Sequence, residues 1–146
     1  MKTKLPVHFD PVHFAKAEYE FNGSIPLTQF KVLSNEILPS DESVQVEVRF
    51  HSVGRRKYPA MAGRLKTTFT LECQRCMEPM AFDVNTEFAI CFIETDAQED
   101  ELPEGYEAYI SSEDMFVFND LIEEELLLQV PLIPKHEECE NPYFDN

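Results

Sequence analysis

Cysteine and histidine are the residues of this 146-residue chain best suited to chemistry, and two of its four cysteines fall in one short segment, Leu71-Glu72-Cys73-Gln74-Arg75-Cys76-Met77-Glu78-Pro79-Met80. A Cys-x-x-Cys spacing suits a metal because a tight turn aims both thiolates at one ion, about 2.3 Å from zinc. A structural zinc takes four ligands, and His136 and Cys139, spaced His-x-x-Cys, would complete a Cys3His set. Two other uses fit the same spacing. A redox pair wants its first cysteine at a helix N-terminus inside a βαβ unit. Two reduced, partly buried thiols in a turn need no partner at all. Cys91, set among Ile90, Phe92 and Ile93, reads as a small core residue, and His8, His13 and His51 lack any ligand-spaced partner.

A second cluster is cationic. Arg55, Arg56 and Lys57 are followed, after Tyr-Pro-Ala-Met-Ala-Gly, by Arg64 and Lys66. On a strand connection these five would form a basic patch beside Tyr58, a usable contact for an RNA phosphate. The plainer reading is a solvated loop that offsets acid elsewhere. No nucleotide-binding glycine loop and no Ser-His-Asp arrangement is present, and four glycines offer little backbone for cradling phosphate. The pattern does not point to an enzyme.

The elements that must position these residues are mostly strands. From Ser43 the apolar period is two: Val44, Val46, Val48 and Phe50 alternate with polar residues. Leu65, Thr67, Phe69 and Leu71 repeat the pattern, and so does the row from Met80 and Phe82 through Val84, Thr86, Phe88 and Ile90 to Phe92. Strands in sequence with short connections predict an antiparallel meander, which places the Cys-x-x-Cys in a hairpin turn. Asp10-Pro11 predicts a helix start and Asn22-Gly23 its stop, giving a helix over 11–21. A weaker helical pattern runs from Leu27 to Leu38, ahead of Pro39. Later, Asn119 predicts a cap for a helix in which Phe118, Ile122, Leu126 and Val130 share one face, Pro131 ends it, and Glu123, Glu124 and Glu125 face solvent. The expected fold is α+β: an antiparallel β-meander of three to five strands packed with two or three short helices. One domain over 1–146 is expected, with an acidic, mobile surface loop at 94–107, a short extended piece around Tyr109-Ile110, and a proline-rich C-terminal strap at 131–146.

Composition narrows the class. Hydrophobic content of 43% with 27% charged residues is that of a folded globular chain. No apolar run approaches the roughly 20 residues of a membrane span, and the N-terminus does not read as a secretory signal. A cytoplasmic protein with reduced thiols or metal ligands is therefore expected. The net charge of -16 is unevenly placed. Residues 1–66 hold ten Lys/Arg against seven Asp/Glu, a net +3, and residues 67–146 hold two against twenty-one, a net -19. The acidic half repels nucleic acid and attracts a basic protein surface.

Taken together, "LECQRCMEPM", the early "LPVHFDPVHFA", the later "LPEGYE" and the run from Val130 to Cys139 resemble the bacterial YceD proteins, the large ribosomal RNA subunit accumulation proteins. These landmarks run from Leu5 to Cys139 in the expected order. The resemblance implies a cytoplasmic, non-enzymatic factor needed for accumulation of large-subunit (23S) ribosomal RNA, in a family often encoded beside a small ribosomal protein. Related chains often carry further cysteines after an equivalent Cys-x-x-Cys, which implies structural zinc held by Cys73, Cys76 and Cys139 with His136 as the fourth ligand. The expected partners are a basic ribosomal or RNA-processing protein and pre-ribosomal RNA, the latter touched by Arg55, Arg56, Lys57, Arg64 and Lys66. One departure is visible: relatives commonly continue past this point into a short basic helix, where this sequence reads Asn141-Pro142-Tyr143-Phe144-Asp145-Asn146. The rival class is a thiol-dependent redox protein using Cys73 and Cys76.

Overall fold

The computed structural model describes residues 4–111, 113–132 and 134. Its framework is a five-stranded sheet in the order β2-β3-β4-β5-β6, built from β2 (Glu20–Pro26), β3 (Ser43–Val53), β4 (Tyr58–Glu72), β5 (Pro79–Ile93) and β6 (Glu107–Ile110). A two-stranded ribbon pairs β1 (His8–Phe9) with β7 (Phe116–Val117), and two helices complete the fold, α1 (Pro11–Ala17) and α2 (Phe118–Leu127). The architecture is α+β, as the strand periodicity predicts.

The period-two rows bury one face. Val44, Val46, Val48 and Phe50 of β3, Leu65, Phe69 and Leu71 of β4, and Val84, Phe88, Ile90 and Phe92 of β5 all belong to the main core. Helix α2 closes that face with Phe118, Leu121, Ile122 and Leu126, each worth about 1.5–3 kcal/mol of apolar transfer. Phe9 is the hub that fastens the ribbon to the sheet: its ring centroid lies 5.3 Å from Phe50, 5.7 Å from Phe116, 5.9 Å from Phe92 and 6.1 Å from Phe118. Gly63 of β4 sits where its neighbours on β3 and β5 leave no room for a side chain. A Cβ there would lie 2.5 Å from the Glu47 carbonyl oxygen, 2.7 Å from Val48 Cγ1 and 2.9 Å from Phe88 Cζ.

Several local expectations are overturned. The first helix starts as predicted, with Asp10 Oδ1 accepting the Val12 N–H at 3.0 Å, but ends at Ala17, where Glu18 turns into the left-handed region at φ 53°. Asn22 and Gly23 then lie inside β2, paired with Glu47 and Val46, because pairing lets Phe21 and Ile25 reach the core. Between Leu27 and Leu38 there is no α-helix. Two single 3-10 turns, Leu27–Gln29 and Leu33–Asn35, bury Leu27, Phe30 and Leu33 all the same. Helix α2 is preceded by Val117, not Asn119, in the cap position, with no side-chain capping bond, and its regular part ends at Leu127, before Pro131.

The sheet is also not antiparallel throughout. Strand β6 runs parallel to β5, with Cys91 beside Ala108 and Phe92 beside Tyr109. A parallel neighbour requires a crossover, and residues 94–106 supply it. That acidic segment is anchored where a mobile loop was expected. Asp96–Glu101 forms a 3-10 turn with a Thr95–Gln98 capping box, and Leu102 and Tyr106 pack on a second small core of Tyr58, Cys91 and Ile93.

Candidate functional site

The Cys-x-x-Cys occupies the β4–β5 hairpin loop, as predicted. The long ladder from Ala60–Cys91 to Glu72–Pro79 brings the strands to a tight end. There the Cys73 N–H donates to the Glu78 carbonyl at 2.9 Å and the Met77 N–H to the Cys73 carbonyl at 2.8 Å, with Met77 in the left-handed region at φ 65°. Cys73 is fully buried and Cys76 half-buried. The strap reaches this loop: the Gln74 N–H donates to the Pro134 carbonyl at 2.7 Å. His136 and Cys139, two and five positions further on, lie outside the described residues.

Cys91 belongs elsewhere. It lies twelve residues along β5 from Pro79, about 40 Å at 3.3 Å per residue. Burial pushes its thiol up to about 11. The hairpin loop connects two strands, so it offers no helix dipole to activate a redox thiolate at Cys73.

The cations separate into two groups. Arg55, Arg56 and Lys57 crown the β3–β4 turn, whose tight course uses Gly54 at φ 77° and Lys57 at φ 52°. Arg64 and Lys66 lie on β4, exposed on the outer face and roughly 20 Å or more from the tip by strand rise. Neither group stands apart from acid. Arg56 Nε lies 3.5 Å from Glu101 Oε2, the Tyr58 hydroxyl donates to the same carboxylate, and Arg64 pairs with Glu87 on the neighbouring strand. The five residues do not form one continuous patch.

Sequence reasoning missed a sixth cation. Arg49 of β3 faces a shallow hollow of about 610 Å3 on the outer face of the sheet, floored by Ala62 and Ala89 and bordered by Glu47, Glu87 and Tyr106. Its signal was the alternation itself, since Arg49 stands at an outward position of a recognised strand. His51, two residues on, is held through Nε2 at 2.7 Å from the Tyr106 hydroxyl, and burial, with the charge of Arg49 second, keeps its pKa below 6.5.

What these features define is an acidic α+β protein built on long hairpins, with the Cys-x-x-Cys pair and Arg55, Arg56 and Lys57 at hairpin turns and Arg49, Arg64 and Lys66 along the strands. Residues 61–145 match the family described as Large ribosomal RNA subunit accumulation protein YceD, and the chain belongs to that family. It is 35% identical over 144 residues to the large ribosomal RNA subunit accumulation protein YceD of Haemophilus influenzae, an alignment covering 95% of this chain and 81% of the relative. No solved structure gives a significant match. The matched region contains Cys73, Cys76, Arg64 and Lys66 together with the positions of His136 and Cys139, and begins after Arg55, Arg56 and Lys57. Among the described residues no helix is long and apolar enough to cross a membrane.

Proposed function

We propose that this protein supports the accumulation of large-subunit ribosomal RNA by binding, without making or breaking bonds itself. The observation that carries the reading is the match over residues 61–145 to a family described by that role. The charge division supports a partner of opposite sign: residues 67–146 carry a net -19 and would engage a basic ribosomal or RNA-processing protein. Arg55, Arg56, Lys57, Arg64 and Lys66 would contact pre-ribosomal RNA, each group at a separate point. Such association weakens as salt shortens the reach of the field.

A structural zinc belongs to the same proposal. Two thiols in a tight loop are a donor set suited to zinc, and the Gln74–Pro134 bond brings the strap to that loop just ahead of His136 and Cys139. Cys73, Cys76, His136 and Cys139 would hold the ion, which would lock the strap onto the hairpin tip.

The test is deletion of the gene, followed by measurement of the ratio of large- to small-subunit ribosomal RNA. The ratio is expected to fall and to be restored by the wild-type chain. An unchanged ratio overturns the reading. Low-salt co-purification should recover a basic ribosomal or processing protein, and recovery of none counts against the acidic face as its binding surface.

A further inference from the structure

Strand β6 is an outer strand of the sheet. It pairs with β5 on one side, and among the described residues no strand pairs with the other. The Ser111 N–H returns to the Ile93 carbonyl at 3.0 Å, so the two-residue alternation of a strand turns the amides of Ala108 and Ile110 away from β5. An edge with unspent donors and acceptors is a template for another extended chain.

Below that edge, β6 and α2 enclose a groove of about 320 Å3. Its apolar lining includes Ile90, Leu127 and Leu128, and Leu128 is 69% exposed. Its polar lining includes Glu107, Glu124 and Glu125, with no lysine or arginine. None of the three carboxylates makes an ion pair among the described residues. Burial first, and then neighbouring acid, holds Glu124 and Glu125 above the ordinary carboxylate range. Asp120 acts on Glu124, and Glu107 and Glu124 act on Glu125.

The charge selects the occupant. A second copy of this chain brings a net -16. The strap beyond Pro134 brings Lys135 and His136 against Glu137, Glu138, Glu140 and Asp145. Neither complements three uncompensated carboxylates. A strand places alternate side chains on opposite faces, so a segment alternating apolar and cationic residues can offer a main-chain edge together with a side-chain set for the groove. We propose that the open edge of β6 and the groove beneath it dock an extended basic segment of a protein partner, which adds to the sheet as a further strand. This rests on the binding reading above and assigns that reading a surface.

The probe is a synthetic peptide of about ten residues alternating lysine and valine, titrated against the full chain by fluorescence anisotropy at about 0.1 M salt. Methylating alternate peptide amides removes main-chain donors and keeps every charge, and the expected result is about a tenfold loss of affinity. Glu125→Lys and Ile110→Pro should each weaken the unmodified peptide to a similar degree. Proline is tolerated on an edge strand where its nitrogen faces outward. If Ile110→Pro fails to fold, the methylated peptide and Glu125→Lys still decide the matter. Equal affinity for both peptides, indifference to Glu125→Lys, or self-association that excludes the peptide overturns the proposal. Loss of the edge result while gene deletion still lowers large-subunit ribosomal RNA removes this surface and leaves the function standing. An unchanged RNA ratio removes the function itself.

Discussion

Glu123 on α2 and Leu33 in the second 3-10 turn are joined over ninety residues of sequence: Glu123 Oε2 accepts the Leu33 N–H at 3.1 Å and the Val32 N–H at 3.0 Å. One carboxylate thus satisfies two amides at the start of a turn too short to satisfy them itself. Glu123→Ala is expected to cost about 1–2 kcal/mol, toward the low end for a charged acceptor because Glu123 is only half-buried and Val32 is exposed. Glu123→Gln, which keeps an acceptor oxygen, should cost less. Urea unfolding of the two variants measures this, and equal loss in both would show that packing, not the carboxylate, holds the turn.

Gly63 is expected to tolerate nothing larger. Two of the contacts facing a new Cβ are the Glu47 carbonyl and a core valine, neither of which is the far end of a flexible side chain. Gly63→Ala should destabilise by about 1–3 kcal/mol, as overpacked sites do, and Gly63→Val by more. A thermal midpoint for Gly63→Ala equal to wild type would mean the strands separate there freely.

The sheet was legible in the sequence because Val44 to Phe50 and Met80 to Phe92 alternate at period two, and one buried face admits a single register. The hairpin position of Cys73 and Cys76 followed from it. Asn22-Gly23 misled because its stop signal is local, while the pull of Phe21 and Ile25 into the core comes from pairing with β3. The parallel course of β6 was hidden for the same reason: only the packing of Leu102 and Tyr106 on Tyr58, Cys91 and Ile93 shows how the acidic crossover is anchored. Glu123 read as solvent-facing acid because its acceptor role depends on a turn ninety residues away. Of the candidate zinc set, the two loop cysteines are placed by the hairpin, and the other two lie outside the described residues.

Stability should carry opposite pH signatures from two places. Glu124 and Glu125 have folded pKa values raised from the ordinary 4.5, so the folded chain holds more protons than the unfolded one from that value upward to the raised ones. Their contribution falls as pH rises through that window and stays unfavourable above it. Glu125→Gln is therefore expected to raise the thermal midpoint at neutral pH, and the gain should disappear below pH 4.5. His51 has a folded pKa lowered from 6.5, so its contribution is intact above 6.5 and is lost as pH falls through the lowered value. His51→Gln should flatten that acid-side loss. Midpoints measured from pH 4 to 8, on the order of the range where these groups titrate, separate the two effects. Parallel profiles for wild type and either variant would contradict the assignment.

Thiol labelling tests the hairpin tip against the second core. Cys91 is fully buried and its thiol is pushed up to about 11, so almost none of it is thiolate at neutral pH. It should stay unlabelled by iodoacetamide until the chain unfolds, with or without metal. Cys76 is half-buried in the loop, and if zinc is held there with Cys73 it should label slowly in the metal-loaded protein and about tenfold or more faster after chelation, since a bound thiolate must first be released. Mass spectrometry of peptides from the two states assigns each site. Chelation should also lower the thermal midpoint of wild type and leave that of Cys73→Ser unmoved. Rapid labelling of Cys76 in protein that retains one zinc per chain would place the metal elsewhere, and protein that carries no zinc and is indifferent to chelation would show that contacts such as the Gln74–Pro134 bond join strap and hairpin without a metal.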